Sequence, residues 1–409
     1  MALIVPWISI INGNNMRKLV IYNEKDNNLI LLFEDDELVE FYEEDKNDIS
    51  IEGNIYIGKV QNVLPGLQSA FINIGEKKNA FIHVKDIMPK LDITKEEKQE
   101  EVPINTLIRP GESIVVEVKR EYYENKGPKV STHISLAGRF VVLMPNASFI
   151  TCSQKITDEA EVERLKKIVK KSVGDEYGAI IRTVAKGASE EELSKDINLV
   201  INRWKEIIKN NVDSFPKKIY EKGGILKKTI IDLIDSDLEK IVVNNEDIKN
   251  EIESIINEAG GKANIEIDKD LYERYEVRKK IQETKKRKIY LDCGGFITID
   301  KTEALTAIDV NSGKFIGEKD SEKTVTKVNL DAAKEIAKQL RLRDISGIVI
   351  IDFIDMKTDE DKKRVIDEMK KASKKDRSKV QIEEFTKLNL MELTRKYINS
   401  KKNEKKEEY

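Results

Sequence analysis

Two apolar runs in the last third of the chain each carry an aspartate at their end. Leu305-Thr306-Ala307-Ile308-Asp309-Val310-Asn311 and Ile348-Val349-Ile350-Ile351-Asp352-Phe353-Ile354-Asp355 are rich in β-branched residues, which predicts two β-strands. Between them Leu330, Ala333, Ile336, Ala337 and Leu340 recur at helical spacing, and Asn329 precedes that stripe as a candidate helix cap. Strand, helix, strand in this order predicts a right-handed crossover between parallel neighbours, with both aspartates at one edge of a sheet. Thr358 and Asp361 mark the start of a further helix, followed by a strand over Val380–Glu384 and an amphipathic segment through Leu388, Met391 and Leu393.

Upstream, Lys18–Tyr22 and Leu29–Phe33 read as strands joined by a turn at Asn27-Asn28, followed by an acidic stretch over Glu34–Asp48. Ile55–Val60, Ser69–Gly75 and Asn79–His83 are short runs with aromatics at their centres and glycines between them, the pattern of a small β-barrel. A helix is expected near Glu161–Lys171, where Val162, Leu165, Ile168 and Val169 share a face, and a strand over Gly178–Thr183. From Ala188 to Asn257 the pattern reads as helical, with Trp204, Ile207 and Ile208 packing inward. Lys279-Lys280 and Lys285-Lys286-Arg287-Lys288 form a basic cluster just before the aspartate strands. A solvated helix face is the ordinary reading of such a run, and its position also suits phosphate tracking.

At 409 residues the chain has room for two to four domains. Its 72 basic and 75 acidic side chains leave a net charge of −3, so any nucleic-acid binding must come from local patches rather than the global field. Cys152 and Cys293 lack metal-ligand spacing, and with His83 and His133 as the two histidines, Cys/His metal chemistry is excluded. No apolar run approaches the length of a membrane span, and the first fifteen residues lack the basic start of a signal peptide, so a cytoplasmic protein with an N-terminal extension is expected. The last residues, 401–409, are a solvated charge run.

The chemistry points to the two aspartates. A lone aspartate at a strand end usually forms a turn or caps a helix. Two on neighbouring strands can hold a hard divalent cation that keeps several waters, the arrangement that suits phosphodiester hydrolysis. Asn311 lies two residues beyond Asp309 on the same strand face, where its amide can orient the carboxylate.

Longer motifs sharpen this reading. Gly294-Gly295, Thr302-Glu303-Ala304-Leu305, Ile308-Asp309-Val310-Asn311-Ser312, Ala337-Lys338-Gln339-Leu340-Arg341-Leu342-Arg343-Asp344 and Ile350-Ile351-Asp352-Phe353-Ile354-Asp355-Met356 together resemble the catalytic region of the ribonuclease E/G family, and the resemblance runs from about Met16 to Asn399. It implies a multidomain α/β (α+β) fold. An RNase H-like part would occupy 16–50 and 223–288, interrupted by an S1-type OB-fold at 51–132 and a 5′-sensor region at 133–222. A DNase I-like catalytic domain would follow at 289–400.

The resemblance also implies roles for particular residues. Asp309 and Asp352 match two aspartates that coordinate Mg²⁺, and Asn311 matches an asparagine bonded to one of them. Asp355 is expected to be structural. Phe71, Phe81 and Lys126 match RNA-contacting residues of the OB-fold, where aromatic rings stack on bases; a ring filling the barrel is the alternative for either phenylalanine. Arg182 and Thr183 match the guanidinium and hydroxyl that bind a 5′-monophosphate, and Gly138 and Val142 match positions lining that pocket. Lys379 stands where relatives often carry an arginine, and Gln154-Lys155 where they carry paired arginines, which lowers the expected strength of 5′-end sensing. The family's Cys-x-x-Cys zinc link has no counterpart among the two cysteines, so a monomer or weak homodimer is expected rather than a zinc-linked tetramer.

These expectations converge on a Mg²⁺-dependent endoribonuclease that acts on single-stranded RNA in rRNA or mRNA processing and decay, leaving 5′-phosphate and 3′-hydroxyl ends. Two alternatives stay open from sequence. One is a noncatalytic RNA-binding scaffold on the same fold. The other is a DNA nuclease, since stacking ignores the 2′-hydroxyl.

Overall fold

The computed structural model describes residues 16–47, 50–87, 102–121, 126–209, 215–234, 238–313 and 321–398; the expected N-terminal extension and charged tail lie outside them. The chain divides into two compact units, one of Met1–Asn47, Asp237–Glu251 and Ala263–Tyr409, the other of Asp48–Ser236 and Ile252–Lys262.

The first unit opens with an antiparallel meander, β1 (Arg17–Glu24), β2 (Asn27–Glu34) and β3 (Glu37–Asp45). The expected turn at Asn27-Asn28 falls instead at Lys25-Asp26, with Lys25 at φ 54°, while Asn27 and Asn28 pair with Glu24 and Asn23 in the ladder. Asn28 tolerates a buried strand position because its side chain bonds both Asn23 and Glu44. The acidic stretch also proves to be a strand. Leu38, Val39, Phe41 and Tyr42 of β3 are buried, and its buried Glu40 lies between Arg341 and Arg377. Burial opposes ionisation of Glu40, yet the two guanidiniums outweigh it and lower the carboxyl to about 2.

The second unit begins with β4 (Ile55–Leu64), β5 (Ser69–Asn73), β6 (Ala80–His83), α1 (Ile104–Leu107), β7 (Ser113–Arg120) and β8 (Lys129–Ser131). These strands run β4-β5-β6-β8-β7, and β4 pairs with β7 to close a five-stranded barrel. Val60, Ala70, Ile72, Ala80, Ile82, Val116, Val118 and Val130 fill it. Next come β9 (Leu136–Ala137), β10 (Val141–Met144), β11 (Ile150–Cys152), α2 (Glu159–Val173), β12 (Gly178–Ile181) and α3 (Glu190–Lys209). They form a four-stranded sheet, order β11-β12-β10-β9, whose core includes Leu165 and Val169 of α2 and Leu193, Ile197 and Val200 of α3. β13 (Lys217–Tyr220) then joins β4, and α4 (Ile225–Leu233) follows.

The region expected to be helical from Ala188 to Asn257 therefore contains two strands, β13 and β14 (Leu238–Val243), before α5 (Glu246–Ala259). Both strands are short, and β14 takes its stability from parallel pairing with β1, far away in sequence. Trp204 and Ile207 pack inward as expected; Ile208 is exposed. β15 (Ile265–Ile267) completes a five-stranded sheet, order β15-β14-β1-β2-β3, in the first unit. α6 (Leu271–Arg274) and α7 (Val277–Thr284) follow.

The remaining elements of the first unit are β16 (Lys288–Tyr290), β17 (Phe296–Lys301), β18 (Leu305–Asn311), α8 (Ser321–Leu342), β19 (Gly347–Asp352), α9 (Asp359–Ser373), β20 (Val380–Phe385) and β21 (Leu390–Arg395). They build a six-stranded sheet, order β16-β17-β18-β19-β21-β20, in which β18 and β19 are parallel as predicted. One face packs under α8 and α9, with Ile297, Ile308, Val349, Ile351 and Met391 meeting Ala333, Ile336, Leu340, Val365 and Met369. Thr358 caps α9 by accepting from the Asp361 N–H. The amphipathic segment through Met391 is a strand. Asn329 does not cap a helix, because α8 starts at Ser321; it is wholly buried within α8 and its amide brackets the backbone of Ile354. No helix among the described residues is long and apolar enough to cross a membrane.

Candidate active site

Strand alternation decides where the two aspartates point. In β18, Thr306, Ile308 and Val310 are buried while Ala307 and Asp309 are exposed; in β19, Val349 and Ile351 are buried while Ile348 and Asp352 are exposed. Both aspartates thus stand on the face opposite α8 and α9. Asp309 and Asp352 are direct partners in the parallel register, so their strands are about 4.8 Å apart at that point. The Asn311 amide donates to Asp309 Oδ2 at 2.5 Å, which fixes one oxygen and leaves the other free.

Electrostatics favour a cation here. Burial, and after it the charges of Asp309 and Asp355, raise the Asp352 carboxyl above its ordinary value. Asp355, expected to be structural, is near enough for its charge to act on Asp352. Its position is fixed by the neighbouring Ile354, whose N–H donates to Asn329 Oδ1 at 3.1 Å and whose carbonyl accepts from Asn329 Nδ2 at 2.7 Å. Among the described residues no group of three or more His, Cys, Asp or Glu side chains is arranged to hold a metal. The donor set is a carboxylate pair, which fits a hard ion that keeps most of its coordination positions for water and substrate oxygens.

A second candidate surface lies on the barrel. Phe71 and Phe81 are cross-strand partners on β5 and β6, with ring centroids 6.1 Å apart and an interplanar angle of 66°. Both are half-buried, and the apolar residues that fill the barrel are others, so the rings lie on its outer wall. Lys126 is exposed, and the Phe81 N–H donates to the carbonyl of Pro128, two residues beyond that lysine. Gly127 between Lys126 and Pro128 must be glycine, since a Cβ there would lie 1.9 Å from the Asn79 carbonyl oxygen.

The third set is on the four-stranded sheet. Arg182 follows β12, and its guanidinium donates to the carbonyls of Gly138 (3.0 Å) and Arg139 (3.3 Å) and to the Asp232 carboxylate. Thr183 is exposed and its hydroxyl meets that of Ser153 at 2.8 Å. Val142 is half-buried on β10. Gly138 packs against Asp196, where a Cβ would come within 2.8 Å of both carboxylate oxygens; Asp196 itself accepts from the N–H groups of Arg139, Phe140 and Val141. Lys379, in the other unit, is exposed just before β20.

Sequence reasoning misread Asn329 as a helix cap and missed Asp196 and Asp232. Asn329 carried a usable signal, as a polar residue inside the apolar stripe of a helix has to find buried partners. Asp196 carried a weaker one, standing on the buried face of α3 between Leu193 and Val200.

Comparison with known proteins agrees with the geometry. Residues 135–398 match the Ribonuclease E/G family. Ribonuclease G of Haemophilus influenzae is 37% identical over 377 residues, covering 90% of this chain and 77% of the relative. Ribonuclease G of Escherichia coli (strain K12) is 35% identical over 355 residues, covering 85% and 73%. Ribonuclease E of Nostoc sp. is 37% identical over 357 residues, covering 84% of this chain and 51% of the relative. With one family match over residues 135–398 and two ribonuclease G relatives at 37% and 35% identity covered over 77% and 73% of their own length, the chain belongs to the ribonuclease E/G family.

Proposed function

We infer that this member of the ribonuclease E/G family is an endoribonuclease, and we propose that it hydrolyses single-stranded RNA with Mg²⁺ held by Asp309 and Asp352. The observation that carries the reading is the direct register pairing of the two carboxylates on an open sheet face, with Asn311 bonded to one of them. Bound there, Mg²⁺ would neutralise charge on the scissile phosphate and make a ligated water nucleophilic near neutral pH. Asp309 and Asp352 hold the ion, and Asn311 keeps Asp309 in one orientation. Hydrolysis in this sense leaves a 5′-phosphate and a 3′-hydroxyl.

The same proposal assigns Phe71 and Phe81 to base stacking and Lys126 to a backbone phosphate, on an S1-type OB-fold at 51–132; the closed five-stranded barrel supports it. Arg182 and Thr183, with Gly138 and Val142 beneath them, would take a 5′-monophosphate in a sensor region at 133–222. The sheet order β15-β14-β1-β2-β3, in which β2 alone runs against the others, supports an RNase H-like part at 16–50 and 223–288. The six-stranded sheet supports a DNase I-like catalytic domain at 289–400. A cytoplasmic location completes the proposal.

The test is cleavage of matched single-stranded RNA and DNA in Mg²⁺ by the wild type, Asp309→Asn and Asp352→Asn. RNA cleavage that vanishes in both variants while RNA affinity stays within about two-fold is the expected result, since charge is removed at constant volume. Near-wild-type turnover in either variant would overturn the metal site. Equal cleavage of DNA would favour a general nuclease, and binding without cleavage by the wild type would favour a scaffold.

A further inference from the structure

The open face that carries the aspartates continues beyond them across β17 and β16. Lys288, Thr298, Asp309 and Asp352 are successive register partners on β16, β17, β18 and β19, and so form one row. The next row on the same face is Tyr290, Phe296 and Asn311. The Tyr290 and Phe296 rings meet edge to face with centroids 6.2 Å apart, and Tyr290 is 71% exposed. Lys288 Nζ sits 3.5 Å from the Phe296 ring centre and 4.9 Å from that of Tyr290, and it has no ion-pair partner among the described residues. Phe296 is the diagonal neighbour of Asp309, about 7–8 Å away by sheet geometry, and Tyr290 is one strand further.

We propose that Tyr290, supported by Phe296 and with Lys288 beside it, is a stacking platform for an RNA base one or two nucleotides from the bond held at Asp309 and Asp352. This rests on the nuclease reading above and adds a subsite to it. The occupant follows from the chemistry of the patch. An exposed π-face accepts any base, and an ammonium held against two rings presents charge where the adjoining phosphate would lie. The Asp pair, in the row of Lys288 and next to that of the rings, sets the path of the strand. A cross-strand aromatic pair that merely stabilises the β16–β17 hairpin is the competing explanation, and it makes a different prediction on substitution.

The test uses the full chain without metal, in EDTA, and single-stranded RNA oligonucleotides carrying 2-aminopurine scanned through every position. Wild type should quench the fluorescence at one or two adjacent positions in addition to those governed by Phe71 and Phe81, which the Phe71→Ala/Phe81→Ala variant identifies. Tyr290→Ala should abolish that extra quenching and weaken affinity about ten-fold, the size expected for one stacked base. Tyr290→Phe should retain both, since the ring persists. An unchanged quenching profile in Tyr290→Ala, or a Tyr290→Phe variant as defective as Tyr290→Ala, would overturn the platform. A stabilising role alone would lower the melting temperature of Tyr290→Ala and leave the profile of the folded protein intact. Failure of the nuclease reading shows separately, as cleavage that survives Asp309→Asn or Asp352→Asn, because the quenching is read without metal or turnover.

Discussion

At the scale of single residues, the surroundings of Asp352 disfavour its ionised form. Its carboxyl is raised by burial, then by Asp309 and Asp355, so the folded state binds the proton more tightly than the unfolded state does. The stability from this group is therefore present below the ordinary aspartate range and lost as pH rises through the raised value. Asp352→Asn removes the repulsion, so in metal-free buffer at pH 7 it should melt slightly above wild type, by less than about 1 kcal/mol given its exposure. The difference should vanish under acid conditions, and a lower melting temperature at pH 7 would contradict the electrostatic account. Arg182 is a contrasting case. Its guanidinium already bonds the carbonyls of Gly138 and Arg139 and the carboxylate of Asp232. Arg182→Ala should therefore cost about 1–3 kcal/mol of stability as well as any preference for a 5′-monophosphate. Thr183→Val, at an exposed position, separates the two effects: it should reduce the preference in cleavage assays while leaving the melting temperature unchanged.

At the scale of elements, α8 does more than connect β18 to β19. Asn329 reaches from its buried face to both polar groups of the Ile354 backbone, and so fixes the segment between Asp352 and Asp355. Asn329→Ala would leave those groups without their partner, and a loss of about 1–3 kcal/mol in denaturant melts is expected. Turnover should fall with it at saturating Mg²⁺, whereas Asn329→Asp, which keeps an acceptor for the Ile354 N–H, should fall less. What was legible in the sequence follows from the range of the forces involved. The β18–α8–β19 crossover and the Asp309/Asp352/Asn311 cluster were readable because apolar periodicity and a strand-face argument act over a few residues. β3 was not, since its buried Glu40 is matched by Arg341 and Arg377, some three hundred residues away in sequence. β13 and β14 were missed for the same reason, as their partners β4 and β1 are distant segments. Asn329 was misread as a cap because its bond to Ile354 is a tertiary contact.

For the molecule as a whole, the question is how a chain with 75 acidic and 72 basic side chains holds a polyanion. A global field of the wrong sign makes long-range attraction weak, so affinity must come from stacking plus a small number of placed cations. Phe71 and Phe81 lie on the outer wall of the barrel, whereas Ile72, their neighbour in β5, is wholly buried inside it. Phe71→Ala and Phe81→Ala should each weaken RNA binding by about 1–3 kcal/mol with little change in melting temperature. Ile72→Ala should do the reverse, losing about 2–5 kcal/mol of stability. Salt then separates the two contributions to affinity. With Lys126, Lys288 and Arg182 as the cations assigned to phosphates, the slope of log affinity against log salt should be near −2, at about −0.7 for each phosphate neutralised on a single strand. Lys126→Ala should make the slope shallower by that one increment. Phe71→Ala should lower affinity by the same factor at every salt concentration and leave the slope alone, because stacking releases no counterions. Fluorescence titrations over a range of salt concentrations read both quantities from one data set. A wild-type slope steeper than about −5 would mean that a broad basic surface carries the binding, and that the aromatic residues are secondary to it.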